Sequence, residues 1–177
     1  MDFTEKTISS DMIYSGKILR LHRDIARLSD GGEAVREVVD HPGGVCIAAV
    51  DDDRNVLFVE QYRYPMQETT VELPAGKLDW GEEPDHAAVR ELKEETGCTA
   101  DSMRYVGVIY PSPGYCGEKL YLYIATGLHF GDQQLDEDEF LTVKKMPLAD
   151  AAKRALANEF KDAKTMALLL AADSLVR

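Results

Sequence analysis

Residues 76–98 read GKLDWGEEPDHAAVRELKEETGC and concentrate charge within a short stretch of the chain. Glu91, Glu94 and Glu95 are spaced i, i+3 and i+4, so a helix would place their carboxylates on one face. Unpaired carboxylates this close repel one another, whereas Mg²⁺ prefers carboxylate oxygens and leaves its remaining positions to water and phosphate. The stretch indicates a metal site on a helix, although an ordinary solvated helix face also explains the letters VRELKEETG.

The same stretch contains the limits of its own helix. Pro84 suits the first helical turn, because proline lacks the N–H that a first turn leaves unpaired. Gly97 suits a left-handed C-terminal cap. Ala87, Ala88 and Leu92 supply an apolar side. These features predict a helix that begins near Pro84, ends before Gly97 and packs on the core beside its glutamates.

Composition narrows the class of protein. The 177 residues are 45 % hydrophobic, which fits one domain with a small extension, and the formal net charge of −12 argues against nucleic-acid binding. No stretch approaches the roughly 18 apolar residues of a membrane span, and the N-terminus lacks a signal peptide, so we expect a cytoplasmic protein without a membrane partner. Cys46, Cys98 and Cys116 have neither disulfide-framework nor zinc spacing and are predicted to be reduced.

A Pro-Gly-Gly sequence at 42–44 divides the chain in two. Residues 1–42 are predicted to form a β-strand extension of two or three antiparallel strands, and 43–177 the main domain. TTVELPAG is predicted to be a strand that ends at the Pro-Ala-Gly break, and helices are expected at 148–158 and 162–175. Because the elements lack strict βαβ alternation, the sequence predicts an α+β fold with a mixed β-sheet between helices.

The spacing around the helix resembles a known motif, the Nudix box. Its pattern is G, five residues, E, seven residues, then R-E-hydrophobic-x-E-E-x-G-hydrophobic, and Gly76, Glu82, Arg90 and Gly97 stand at the matching positions. Cys98 takes a position that is usually aliphatic, where a small apolar side chain is tolerable. The resemblance implies a Nudix α/β/α sandwich and a hydrolase that uses Mg²⁺, with Mn²⁺ as a substitute, to cleave a nucleoside diphosphate linked to another group.

The resemblance also implies a role for each box residue. Glu91, Glu95 and the backbone carbonyl of Ala75 correspond to metal ligands, and Glu94 to a catalytic position close behind them. The remaining box residues correspond to structural positions. Arg90 has a planar guanidinium that can hold a neighbouring carboxylate, and Glu82 supports the loop. Gly76 and Gly97 allow the backbone conformations that the box requires.

Outside the box, the resemblance extends along most of the chain to the bacterial ADP-ribose pyrophosphatase subfamily. It covers EKTI, IYSGKI, REVVDHPGGV, VEQYRYP, VELPAGKL, YPSPGYCGEKLYLYIA, LDEDEF and DAKTMAL, and Pro113 stands 15 residues beyond Cys98. It implies cleavage of ADP-ribose to AMP and ribose 5-phosphate. A hydrolase of GDP-mannose or UDP-glucose is the alternative within the family. A non-catalytic ADP-ribose sensor is the alternative of another class, but such members tend to lose box carboxylates that this chain retains.

Three further residues are implied to act at the diphosphate. In LDEDEF, Glu139 corresponds to a carboxylate that reaches the metal, and Glu137 to a general base for the attacking water. An acidic surface loop is the plainer explanation of this segment. Arg63 corresponds to an arginine that clamps the diphosphate, although it also fits an exposed strand-edge charge.

The substrate's nucleoside is implied to be held partly by a second subunit. Arg36 and Glu37 correspond to residues that bind the adenine or its ribose from the partner, and Glu118 to a further substrate contact. An ion pair between strands explains Arg36 and Glu37 equally well. The N-terminal strands of the family commonly pair between subunits, so the resemblance implies a homodimer.

Overall fold

A computed structural model of the chain describes residues 2–135, 137 and 139–176. The chain separates into two compact units: the first comprises the segment up to Gly43 together with Tyr110–Lys119, and the second comprises Gly44–Ile109 and the segment from Leu120 onward. Tyr110–Lys119 thus groups with the first unit, whereas the sequence analysis placed it in the main domain, and the division between residues 42 and 43 stays a prediction. Proline and glycine make up four of the ten residues of this insertion, YPSPGYCGEK.

The first unit is an antiparallel sheet in the order β1-β2-β3. Its strands are β1 (Lys6–Ser15), β2 (Arg20–Arg27) and β3 (Glu33–Asp40). Every residue of β1 is exposed. The inserted segment is held to β3 by backbone hydrogen bonds, because the Val39 N–H donates to the Tyr115 carbonyl and the Gly117 N–H donates to the Val39 carbonyl.

The second unit contains two sheets and three helices. The four-stranded sheet has the order β7-β4-β9-β8, with β4 and β9 parallel and the other pairs antiparallel, and the three-stranded sheet has the antiparallel order β10-β5-β6. The elements are β4 (Gly44–Ala49), β5 (Asn55–Arg63), β6 (Glu68–Glu72), β7 (Ala75–Lys77), α1 (Pro84–Thr96), β8 (Cys98–Ile109), β9 (Leu120–Phe130), β10 (Leu141–Pro147), α2 (Leu148–Leu156) and α3 (Ala163–Leu175).

Strand β4 lies at the centre of this unit and is buried along its whole length. Val45 and Ile47 pack on one face with residues of α1, whereas Cys46 and Ala48 pack on the other face with residues of α2 and α3. This layering explains why β4 is a continuous apolar run instead of an alternating one. The predicted α+β class, with mixed sheet between helices and an antiparallel N-terminal extension, is confirmed.

The segment TTVELPAG differs from its predicted form. It contains two strands, because β6 ends at Glu72 and a short strand, β7, begins at Ala75 in the other sheet. Pro74 lies between them, and proline cannot donate to a ladder, so the chain changes sheets there. The helix limits set by Pro84 and by Gly97, which caps α1 in the left-handed conformation, are as predicted.

Two further expectations concern cysteines and membranes. Cys46, Cys98 and Cys116 are free thiols, and the first two are buried. Among the described residues, no helix is long and apolar enough to cross a membrane.

Candidate active site

Helix α1 presents its glutamates in two different environments. Glu91 and Glu95 are buried, with 8 % and 3 % of their surface exposed, whereas the side chain of Glu94 is 34 % exposed. The difference arises because Glu91 and Glu95 share the helix side of Leu92, which packs on the core. Two carboxylates are therefore held away from bulk water beside the start of β7.

Glu95 caps the backbone of β7. Its Oε2 accepts a hydrogen bond of 2.9 Å from the Ala75 N–H. Ala75 stands opposite Cys46 in the β4–β7 pair, and the Ile47 N–H donates to the Pro74 carbonyl, so Cys46 and Ala75 form a non-hydrogen-bonded pair. In such a pair both backbone groups point away from the partner strand. The Ala75 carbonyl therefore lies on the same strand edge as its N–H, the edge that Glu95 contacts.

Gly76 provides the space for the second buried carboxylate. A Cβ atom built on Gly76 would lie 1.9 Å from Cδ of Glu91 and 2.0 Å from its Oε1. A side chain at position 76 would force the Glu91 carboxylate to move. The first glycine of the box thus permits the close approach of the Glu91 carboxylate to the backbone of β7.

Arg90 connects the remaining carboxylates of the box. Its Nε and Nη2 donate to the two oxygens of Glu82 at 3.1 and 3.0 Å, and its Nη1 donates to Glu91 at 2.8 Å and to Glu94 at 2.9 Å. The Glu82 carboxylate also accepts from the Asp79 N–H. Arg90 thus hydrogen-bonds to three carboxylates of the box and also donates to the Lys77 carbonyl at 3.1 Å.

The buried carboxylates have strongly raised pKa values. Burial raises the pKa of Glu91 to about 7, although Arg90 opposes the shift, and burial raises the pKa of Glu95 to about 8, although the Ala75 N–H opposes it. The negative charge of Glu139 adds to both shifts, so Glu139 lies within electrostatic reach of both carboxylates. A cation at this position would relieve the unfavourable charge.

The loop that carries Glu139 is attached to the end of α1. The Gln134 N–H donates to the Glu94 carbonyl at 2.9 Å, and the Gln133 side-chain amide donates to the Glu95 carbonyl. Gly97 is required here as well, because its φ is 71° and a Cβ atom would lie 2.3 Å from the Gly131 carbonyl oxygen. Glu137 and Glu139 are both exposed on this loop, and Asp136 and Asp138 lie outside the described residues.

The oxygen donors at this site are of the chemical type that binds a hard divalent cation. Buried carboxylates at Glu91 and Glu95, the carboxylate of Glu139 nearby and a carbonyl on the same strand edge are oxygen donors of the type that Mg²⁺ and Mn²⁺ accept. Among the described residues, no three Asp, Glu, His or Cys side chains converge closely enough to enclose an ion as they stand. Two hydrogen bonds contribute to this separation of the carboxylates. Arg90 donates to the Glu91 carboxylate, and the Ala75 N–H donates to the Glu95 carboxylate.

Arg63 is engaged by a residue that the sequence analysis did not identify. Its Nε and Nη2 donate to the two oxygens of Glu72 at 2.8 and 2.7 Å. Glu72 is buried, and its Oε2 also accepts a hydrogen bond of 2.6 Å from Lys164. Glu72 lies in the segment VELPAG, and a glutamate within this otherwise apolar segment was the feature of the sequence that could have indicated a buried carboxylate. Nothing in the sequence pairs it with Lys164, which lies 92 positions away.

The residues expected to bind the nucleoside belong to the first unit. Arg36 donates through Nε and Nη2 to the carboxylate of Glu5, at 2.9 and 2.7 Å. Its ion-pair partner is therefore Glu5 and not Glu37, which stands opposite Arg23 in the β2–β3 register. Glu118 lies 3.6 Å from the imidazole of His41.

Comparison with known protein families gives two matches, one following the other along the chain. Residues 40–169 match the NUDIX domain, and residues 5–39 match the nucleoside diphosphate sugar hydrolase N-terminal domain. The chain belongs to the Nudix family, as the box predicted, and is a Nudix hydrolase. Nudix hydrolases generally need a divalent metal ion.

Individual relatives cover nearly the whole chain. An ADP-ribose pyrophosphatase of Bacillus subtilis (strain 168) is 43 % identical over 91 % of this chain and 88 % of its own. A methanol dehydrogenase activator of Bacillus methanolicus is 39 % identical over 93 % and 90 %. An ADP-ribose pyrophosphatase of Mycobacterium tuberculosis is 40 % identical over 94 % and 82 %. A crystal structure of an ADP compounds hydrolase shares the fold, with a TM-score of 0.84 and 21 % identity over 99 % of this chain and 96 % of that chain.

Proposed function

We propose that this chain hydrolyses the diphosphate linkage of ADP-ribose, giving AMP and ribose 5-phosphate, with Mg²⁺ as the cofactor. One observation carries the proposal: Glu91 and Glu95 are buried side by side against the start of β7, with pKa values raised to about 7 and about 8. Burial of two acidic groups is costly unless a cation binds there. Relatives named ADP-ribose pyrophosphatase, at 43 % and 40 % identity, support the choice of substrate.

In this proposal Glu91, Glu95, Glu139 and the Ala75 carbonyl hold the metal. When bound, Mg²⁺ would neutralise the negative charge that develops on the diphosphate oxygens. Arg63 binds the diphosphate through the guanidinium edge that Glu72 leaves open. The loop after Gly131 supplies the base, since Glu137 is exposed and carries no hydrogen bond or ion pair to the other described residues. Glu137 accepts the proton of the water that attacks phosphorus, and the bond from phosphorus to the bridging oxygen breaks.

A substrate panel with metal controls tests the activity. The purified protein is incubated with ADP-ribose, GDP-mannose and UDP-glucose in Mg²⁺, Mn²⁺ or EDTA, and nucleoside monophosphate is quantified by chromatography. We expect AMP from ADP-ribose only when metal is present, and loss of more than about 100-fold in kcat/KM for Glu95→Gln. Glu83→Gln, at an exposed carboxylate just before the same helix, is the matched control. A hundredfold preference for a hexose nucleotide would replace ADP-ribose as the substrate.

The assignment of the base rests on two neighbouring glutamates and needs its own test. Glu137→Ala should lower kcat at saturating Mg²⁺, whereas Glu139→Ala should mainly raise the Mg²⁺ concentration needed for half-maximal rate. Near-normal turnover of Glu137→Ala would remove Glu137 from the mechanism. The reverse pattern would exchange the two roles.

We also propose a homodimer formed through the first unit. The apolar side chains of β1 are exposed, namely Ile8, Met12, Ile13 and Tyr14, and an apolar strand at a sheet edge invites a partner. In that dimer each subunit supplies Arg36 and Glu37 to the substrate bound by the other subunit, and Glu118 is a further substrate contact. Light scattering on the eluted protein should give twice 19.7 kDa. Met12→Lys with Tyr14→Lys should convert the dimer to a monomer, and a wild-type monomer would contradict the proposal.

A further inference from the structure

Glu72 is a buried carboxylate with an unusual number of donors. Its Oε1 accepts from Arg63 at 2.8 Å and from the Thr70 hydroxyl at 2.7 Å, and its Oε2 accepts from Arg63 at 2.7 Å and from Lys164 at 2.6 Å. Only 3 % of the side chain is exposed. Four donors fill the acceptor sites of a carboxylate, so Glu72 is held in one orientation.

The contact of Glu72 leaves a defined part of Arg63 available. Nε and Nη2 form the side edge of the guanidinium plane, and both donate to Glu72. Among the described residues none accepts a hydrogen bond from Nη1, and the Arg63 side chain remains 39 % exposed. The end edge, formed by Nη1 and the second N–H of Nη2, can therefore bind two oxygens of an anion while Glu72 fixes the plane.

Lys164 is the less expected member of this group. It lies in the first turn of α3, where the helix dipole disfavours a cation, and its side chain is 12 % exposed. Two carboxylates compensate, because Nζ donates to Glu72 at 2.6 Å and to Asp162 at 2.9 Å. Asp162 is itself the N-cap of α3 and accepts from the Thr165 N–H. The α3 N-terminus is thereby tied to the carboxylate that holds Arg63.

Arg63 and the metal-site carboxylates belong to one electrostatic neighbourhood. The positive charge of Arg63 opposes the rise in the pKa of Glu95, which places the guanidinium within electrostatic reach of the proposed metal ligand. A diphosphate bound at those carboxylates through a cation would also experience the positive charge of the end edge of Arg63. The direction of that edge is decided by Glu72, because no other carboxylate hydrogen-bonds to Arg63 in the described part of the chain.

We infer that Glu72 is a positioning residue that orients Arg63 toward the diphosphate, and that Lys164 and Thr70 hold Glu72 in place for this task. The inference rests on the proposed function and deepens it. It makes a specific claim about coupling: Glu72 influences the substrate only through Arg63. A residue that merely stabilises the fold would act whether or not Arg63 is present.

A double-mutant cycle measures this coupling. kcat and KM are determined for wild type, Glu72→Gln, Arg63→Ala and the double variant, with the ADP-ribose assay above. We expect Glu72→Gln to lower kcat/KM by about 10- to 100-fold, mostly through KM, and to change it by less than about twofold when Arg63 is already alanine. Equal losses in both backgrounds, or a Glu72→Gln enzyme within twofold of wild type, would overturn the inference.

Two further variants protect the test from misfolding. Thr70→Val removes one donor to Glu72 and keeps a β-branched strand residue, so it should fold and lower kcat/KM about threefold, again only when Arg63 is present. Lys161→Met is the matched control, since Lys161 lies just before α3, pairs with Glu68 of β6 at an exposed position and should leave kcat/KM unchanged. A Thr70→Val effect that persists without Arg63 would contradict the inference.

Binding of ADP separates this inference from the proposed activity. Its dissociation constant is measured by calorimetry, in Mg²⁺, for the four proteins of the cycle. If wild type fails to cleave ADP-ribose, the proposed function fails, but the ADP cycle still reports whether Glu72 acts through Arg63. We expect about tenfold weaker binding for Glu72→Gln in the Arg63 background alone. Unchanged ADP affinity would overturn the inference even in an active enzyme.

Discussion

Replacement of Gly76 by alanine should separate catalysis from folding. The new Cβ would lie 1.9 Å from Cδ of Glu91, whereas ordinary contact begins near 3.4 Å, so the carboxylate must move by 3.4 − 1.9 = 1.5 Å. That movement breaks the 2.8 Å hydrogen bond between Arg90 and Glu91. Displacements of about 1 Å at reacting groups cost about 100-fold in rate, so we expect at least that loss in kcat/KM.

The effect of the same change on stability should be small. Losing a charged hydrogen bond costs about 1.5–3 kcal/mol, and partial exposure of Arg90 reduces this figure. Alanine in place of glycine in a strand returns about 0.5–1 kcal/mol. The net loss of about 1 kcal/mol corresponds to a fall in Tm of about 2–4 °C.

The assay pairs AMP release with thermal unfolding monitored by circular dichroism. Gly107→Ala is the matched control, because Gly107 also lies in a strand and a Cβ there meets no atom within 4 Å. It should retain full activity. A folded Gly76→Ala enzyme with activity within about twofold of wild type would refute the argument that Glu91 acts from the position seen in the structure.

Three further predictions concern pH, Arg90 and Gly97. In EDTA, the free energy of unfolding should fall by several kcal/mol as pH rises from about 5 to 8. The pKa values of Glu91 and Glu95 are about 7 and about 8 in the folded protein, against 4.5 for an ordinary glutamate, so the folded protein keeps protons that the unfolded chain has released. Urea titrations at both pH values measure this change, and Mg²⁺ should restore stability at pH 8. Arg90→Met should destabilise the metal-free protein by about 1–3 kcal/mol in the same titrations, and an unchanged midpoint would contradict the role given to it. Gly97→Ala should lower Tm by several degrees, because φ is 71° and the Cβ would lie 2.3 Å from the Gly131 carbonyl oxygen.

The box shows how far local sequence information extends. Pro84 and Gly97 determine where α1 begins and ends, and the i, i+3, i+4 spacing determines that Glu91, Glu94 and Glu95 lie on neighbouring positions of its surface. Spacing does not determine burial. Glu91 and Glu95 are covered while Glu94 stays partly exposed, and this follows from the strands against which the helix packs.

The two arginines expected to contact substrate show the opposite case. The sequence indicated Arg63 and Arg36 through family resemblance, but it did not show that Glu72 and Glu5 occupy their side edges. A strand-end arginine can turn to several partners, and the choice depends on which carboxylates other segments bring near. Lys164, 92 positions from Glu72, is one such long-range contributor.

By itself, the sequence determined the family and the limits of the box helix, since both depend on residue spacing along one segment. Tertiary structure alone decided the change of sheet at Pro74, the assignment of Tyr110–Lys119 to the first unit and the linkage of Lys164 to Arg63 through Glu72. The physical reason is that hydrogen bonds and burial join groups that are distant in the chain, and residue spacing carries no record of those distances.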